Sequence, residues 1–245
     1  GLGDVYKRQA LYALVKEPEL NMKKMKEEGI GIRADLLKEI FSYSASTGIQ
    51  QSVMNFGILM VQGLVNSFGT SVMAAFAAGV KIDTLAYMPA QEFSNSFSIF
   101  TSQNSGAGDK KRVREGVRTS VKLSISFCLV VSVLIFIFAK YLMMIFVHPE
   151  ETEIIRIGVE YLRIEGSFYC GIGLLFLFYA YYRGIGKPEM SVVLTVISLG
   201  TRVALSYALA PILGVRVIWW SIPIGWALAD LTGGVYMKKL VKKSK

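Results

Sequence analysis

The sequence predicts an all-α integral membrane protein with six transmembrane helices. Three observations carry this: an apolar excess, its collection into six long runs, and basic residues confined to alternate connections. Of the 245 residues, 53% are hydrophobic and only 18% charged, where a soluble domain has about a quarter charged. Most of the charges fall between the apolar runs.

Crossing a hydrocarbon layer about 30 Å thick takes roughly 20 largely apolar helical residues. Six stretches meet this length, at 40–68, 72–103, 117–146, 154–182, 188–213 and 217–240. Unpaired backbone groups cost several kcal/mol each in hydrocarbon, so only helices and closed barrels span it. A barrel strand would alternate over about ten residues; these runs are continuous and twice as long, which selects helices. Pro89 lies inside the second run and predicts a kink there, whereas Pro188 and Pro223 sit near the starts of theirs, where proline is tolerated.

The connections set the orientation. Lys16, Lys23, Lys24, Lys26, Arg33 and Lys38 precede the first run, and Lys110, Lys111, Arg112, Arg114 and Arg118 follow the second. Arg183 and Lys187 follow the fourth, and Lys238, Lys239, Lys242, Lys243 and Lys245 close the chain. The other three connections are short, hold Arg216 as their base, and carry Glu150, Glu151 and Glu153. Basic loops stay cytoplasmic, so the pattern predicts a multi-pass membrane protein with both ends of the chain on the cytoplasmic side.

Net charge is +9, but no aromatic–basic RNA signature or zinc spacing accompanies it, and nucleic acid is not among the expected partners. Cys128 and Cys170 each lie within an apolar run and read as packing residues. His148, the single histidine, stands beside Pro149 in a connection and reads as a solvated loop residue. No HExxH, GxSxG or phosphate loop is present. The sequence thus reads as that of a non-enzyme without cofactor or metal site.

Ionisable residues inside spans cost roughly 2.5–3.5 kcal/mol on insertion scales and usually face a cavity or a partner. Here they are Lys81, Asp83, Glu92, Arg202 and Asp230, with Arg163 and Glu165 nearer an outer edge. At helical spacing, Gln51, Asn55, Gln62 and Asn66 share one arc of the first span. Asp83, Tyr87, Gln91, Ser94 and Ser98 share one of the second. Two polar stripes can line a water-filled passage or act as hydrogen-bonding glue between packed helices. For Asp83 the passage is favoured, since a carboxylate is harder to bury than an amide. Lys81 and Asp83, two apart, face different ways, and Glu92 lies across the helix from Asp83. Glu165, Tyr169, Ile172, Phe176, Tyr179 and Arg183 form an aromatic stripe on the fourth span, suited either to packing or to holding flat organic cations against ring faces. Arg202 either snorkels or lines the lobe, and Trp219, Trp220 and Trp226 read as including interface anchors. The candidates for a substrate or ion pathway are therefore Asp83, Glu92, Tyr87, Gln51, Asn55, Gln91 and Tyr179.

Several short strings occur in an order that resembles the C-terminal lobe of the multidrug and toxic compound extrusion (MATE) family. They are QGLVNSFG at 62–69, YMPA at 87–90, SQNSGAG at 102–108, VEYLRI at 159–164, RGIG at 183–186 and WWSIPIGW at 219–226. The resemblance covers about residues 36–240. It implies twelve helices in two six-helix lobes, with Na+ or H+ antiport driving amphipathic cations outward between them. On that reading residues 1–9 (GLGDVYKRQ) resemble translated adapter sequence. Residues 10–39 are the end of a preceding helix with the cytoplasmic inter-lobe linker, 40–240 the six-helix C-lobe, and 241–245 a basic tail. The expected partners are the bilayer, the N-terminal six-helix lobe and small organic cations. The chain alone is expected to be an inactive half.

One departure bears on coupling. The family's sodium-coupled branch has carboxylates in the first and fourth helices of this lobe, where this sequence has Met54–Asn55 and Ile172–Gly173. Coupling then falls to Asp83 or Glu92, or to a carboxylate of the other lobe, the preferred reading from sequence. Two alternatives stay open: a related flippase for lipid-linked sugars, and a non-transporting scaffold or truncated product.

Overall fold

The computed structural model describes residue 12 and residues 34–243. The expected adapter segment at 1–9, most of the connector at 10–39 and the last two residues of the tail lie outside the described residues. The chain divides into two compact units, Gly1–Ala45 and Ser46–Lys245. In the first, residues 34–45 are helical; the second holds the helix bundle.

Seven helices account for the described residues from 34 onward: α1 (Ala34–Asn66), α2 (Thr70–Gly106), α3 (Lys110–Phe146), α4 (Thr152–Gly166), α5 (Tyr169–Gly184), α6 (Pro188–Leu213) and α7 (Arg216–Lys243). The helices α2, α3 and α6 are each long and apolar enough to cross a bilayer, and α4 with α5 make a fourth crossing as one span bent by 52°. The first and last expected spans are long helices, of 33 and 28 residues. Their interiors are diluted by Gln50, Gln51, Asn55 and Gln62 in α1 and by Asp230 in α7. The fourth expected span, continuous in sequence terms, is the one that breaks.

That break has local causes. Gly166 and Ser167 form the kind of small-residue pair at which helices kink. The Ser167 hydroxyl donates to the Arg163 carbonyl at 2.6 Å, competing for a backbone acceptor. Gly166 also lies against α3, where a Cβ would come within 2.8 Å of Ile135.

The second helix, α2, runs unbroken through Pro89 and packs against α3, α4 and α5; α5 also packs on α6 and α7, and α6 on α7. From residue 46 onward, α1 meets α6 at three points. Gln50 donates to Thr195 at 3.1 Å, the Tyr207 hydroxyl donates to the Met60 carbonyl at 3.0 Å, and Gly57 abuts Leu199.

The third helix, α3, turns the usual amphipathic rule inside out. Its buried stripe is Ser120, Ser124, Cys128, Ser132, Ile135, Ala139 and Met143, spaced three or four apart. Its exposed face carries Leu129, Val130, Val133, Leu134, Ile137 and Ile145. In water an apolar face of this extent is an aggregation surface; in hydrocarbon nothing drives it inward, and small residues let helix backbones approach. Gly173 of α5 uses that approach, since a Cβ there would lie 2.6 Å from the Cys128 Sγ and 2.9 Å from the Ser124 Oγ. Both cysteines are free thiols.

The tight turns place glycine where L-residues are strained. Gly108, between α2 and α3, has φ 74°, and Gly214, between α6 and α7, has φ 82°. Just after the first of these, the Asp109 side chain caps α3 by accepting from the Arg112 amide at 2.9 Å.

The three tryptophans divide between core and surface. Trp219 is fully buried and Trp226 nearly so; Trp220 is exposed, at 46%. Trp219 belongs to the core because Phe76 stacks on it at 5.5 Å and Tyr161 meets it edge-on at 4.9 Å.

Candidate functional site

Inside the bundle, α2 and the bent pair α4–α5 build a polar cluster around Asp83. Asp83 is 2% exposed and accepts a hydrogen bond from the Tyr169 hydroxyl. Tyr169 is the first residue of α5, so the donor arrives from just beyond the break. Tyr161 and Glu165 lie one turn apart on α4 and so share a face. Both lie near enough to the Asp83 carboxyl to influence it electrostatically. Glu165 is itself 5% exposed. Arg202 of α6, half-buried, is the basic group whose charge reaches Glu165.

The cluster is incompletely satisfied. Asp83 Oδ2, Glu165 Oε2 and Arg202 Nε have no hydrogen-bond partner. Native interiors rarely leave such groups unpaired, and each instance calls for an explanation. Two carboxyl groups in apolar surroundings repel when both are charged, and the single nearby guanidinium offsets part of that. A proton or small cation placed between them would offset the rest.

Packing holds the cluster in place. The Tyr161 ring sits over Gly79 of α2, where a Cβ would come within 2.5 Å of it. On its other sides lie Phe76, edge-on at 5.5 Å, and Trp219. The acid pair is thus fixed by an aromatic box and by a helix contact that only glycine permits.

Further along the α2 stripe lies a small cavity of about 80 Å³, lined among others by Gln51, Gln91, Ser94, Phe176, Tyr179 and Arg183. Arg183 donates to Asn95 at 3.4 Å across it. Tyr87 bridges the two regions, its ring 5.8 Å from that of Phe176. A cavity of this size takes a few waters, well below the several hundred Å³ of a drug pocket.

The structure brings some of the sequence candidates together and separates others. Gln51, Gln91 and Tyr179 meet at the small cavity, and Asn55 accepts from Gln51 at 3.2 Å beside it. Asp83 and Tyr87 lie on the same side of α2. Glu92 does not join them; it is exposed and accepts from Asn95 at 3.3 Å. Lys81 is also exposed, 5.9 Å from the Phe146 ring centre.

Tyr161 is the participant that sequence reasoning misses, and Glu165, named there in the aromatic stripe, stands outside its pathway candidates. A continuous span puts Glu165 near an outer edge; in the structure it is 5% exposed, at the end of α4 just before the bend. The spacing Tyr161, Glu165, Tyr169 is a usable signal, since three polar groups four residues apart mark one helical face.

Known proteins share this outline. The MatE family model matches residues 47–208. The probable multidrug resistance protein YpnP of Bacillus subtilis is 31% identical over 159 residues, covering 65% of this chain and 35% of that protein. The probable multidrug resistance protein NorM of Thermotoga maritima is 27% identical over 164 residues, covering 67% of this chain and 35% of its own length. A MOP superfamily transporter from Pyrococcus furiosus superposes with a TM-score of 0.85 at 18% identity, over 95% of this chain and 53% of that one. The chain therefore spans about a third of the length of these curated relatives and about half of the solved structure, whose likeness is one of fold.

Proposed function

This chain belongs to the MatE family of multidrug transporters, and from that premise we propose that it works as the C-terminal six-helix lobe of an exporter coupled to Na+ or H+ and acting on amphipathic organic cations. The partner required is an N-terminal six-helix lobe, and the chain by itself is inactive. The linker is assigned to residues 10–39 and the working lobe to 40–240, in a bacterial inner membrane with both ends of the chain cytoplasmic.

One observation carries the reading: Asp83 and Glu165 share a buried cluster in which an oxygen of each lacks a partner. A transporter that exchanges cations needs a group whose occupancy changes during the cycle, and a pair of buried carboxyls answers to either ion. The cluster favours this lobe for the coupling role over the other lobe, which sequence alone prefers. The bend between α4 and α5 supports a coupling route. Tyr169 and Glu165 flank it, so loading the pair with a proton or Na+ changes the forces across a segment already interrupted. Substrate, in this account, meets Gln51, Gln91, Tyr87 and Tyr179 when the other lobe closes the wall that the 80 Å³ cavity lacks.

The test is export of a cationic dye from proteoliposomes holding both lobes, driven in turn by a Na+ gradient and a pH gradient. Asp83→Asn and Glu165→Gln are each expected to reduce driven export by at least about tenfold with the protein folded and inserted; one lost charge-assisted contact of about 1.5–3 kcal/mol corresponds to that order. Undiminished export in both variants overturns the assignment.

A further inference from the structure

A second and larger cavity, of about 980 Å³, opens at the end of the bundle that carries the short connections, where α3, α4 and the start of α7 meet. Its lining is divided by chemistry. Apolar side chains such as Ile155 and Val159 form the floor, while Lys140, Arg156, Arg163 and Arg216 stand around it with Glu160 and Trp220. Four bases face one acid.

Internal pairing leaves part of that charge free. Arg156 is bound by Glu153 at 2.8 Å, and Arg216 pairs with Glu160. Lys140 and Arg163 have no carboxylate partner among the described residues. The Arg163 guanidinium lies over the Phe136 ring, 5.1 Å from its centre, which holds it in place.

The lining selects the occupant. A cationic solute is repelled by the rim. A free small anion has no use for an apolar floor continuous with the exposed face of α3, where Phe136 and Ile137 lie open. A molecule with a phosphate at one end and hydrocarbon at the other uses all of it: phosphate against Lys140 and Arg163, backbone glycerol beside Trp220, acyl chains along α3. Basic pockets between membrane helices bind anionic headgroups by this logic, and tryptophan suits the headgroup level.

We propose that this cavity is a binding site for an anionic phospholipid, with Lys140 and Arg163 as its phosphate ligands. The site is separate from the acid cluster and does not depend on transport.

Native mass spectrometry of the chain released from detergent micelles tests it, with phosphatidylglycerol and phosphatidylcholine offered in turn. Phosphatidylglycerol is expected to be retained in preference. The double variant Lys140→Gln with Arg163→Gln is expected to weaken its retention by roughly ten- to thirtyfold, while Lys140→Arg with Arg163→Lys keeps it. Soluble glycerol 1-phosphate is expected not to displace it. Equal retention of the two lipids overturns the proposal, as does an unchanged charge-neutral variant or full displacement by glycerol 1-phosphate. The wild-type lipid comparison decides the matter even if the charge-neutral variant fails to fold.

Discussion

Tyr169 and Asp83 are joined by a hydrogen bond between a phenol at the start of α5 and a carboxyl in the middle of α2. The bond spans 86 residues of sequence and fastens the second half of a broken span to the helix on which most of the bundle packs. The second Asp83 oxygen is left without a hydrogen-bond partner.

Removing the phenol hydroxyl is the simplest perturbation of that arrangement. Tyr169→Phe keeps the ring and strands a buried acceptor, which costs about 1–3 kcal/mol. Unfolding of the reconstituted protein followed by circular dichroism is expected to show a loss of that order. No loss would mean that Asp83 finds another donor.

Glycine at position 79 is required by its neighbour more than by its own backbone. Gly79→Leu is expected to drive the Tyr161 ring out of its box with Phe76 and Trp219 and to destabilise the bundle by about 1–3 kcal/mol, as overpacking does. Gly200→Ala is the control: nothing lies within 4 Å of its added Cβ. Helix propensity alone favours alanine there by about 0.8–1 kcal/mol. Melting temperatures of the two variants should move in opposite directions.

The orientation of α3 gives a third expectation. Leu134→Cys on its exposed face should react with a maleimide carried on a lipid-soluble spin label, and Ser132→Cys on its buried stripe should not. Val133→Lys places a charge on the outer face at mid-span, where insertion costs about 2.5–3.5 kcal/mol, and is expected to lower the inserted fraction in microsomes. Equal labelling at 132 and 134 would contradict the inverted face assigned to this helix.

Much of the architecture was legible because hydrophobic run length and loop charge are global signals that no single residue can hide. The helix boundaries at Pro188 and Leu213 were read to the residue, since proline starts the helix and Gly214 ends it. What escaped was local and three-dimensional. The Gly166–Ser167 break does not interrupt the apolar run, so hydropathy passes over it. Trp219 and Trp226 carry the residue type of an interface anchor, and only their contacts show them to be core. Asp83 stood out as a carboxylate at membrane depth, whereas its companion Glu165 was placed near an outer edge and in the aromatic stripe, outside the pathway candidates. Glu92 shows the reverse: an equal chemical signal that geometry directs outward.

The central claim is that Asp83 and Glu165 together hold the coupling cation, and tryptophan fluorescence reports on it most directly. Trp219 packs edge-on against Tyr161, which adjoins the acid pair. With Trp220→Phe and Trp226→Phe leaving Trp219 as the reporter, titration with Na+ and with pH is expected to give a saturable change in emission. That change should vanish when Asp83→Asn and Glu165→Gln are added. A saturable response that persists in the doubly neutralised protein, or the absence of any cation-linked response in the folded protein that retains both acids, contradicts the claim.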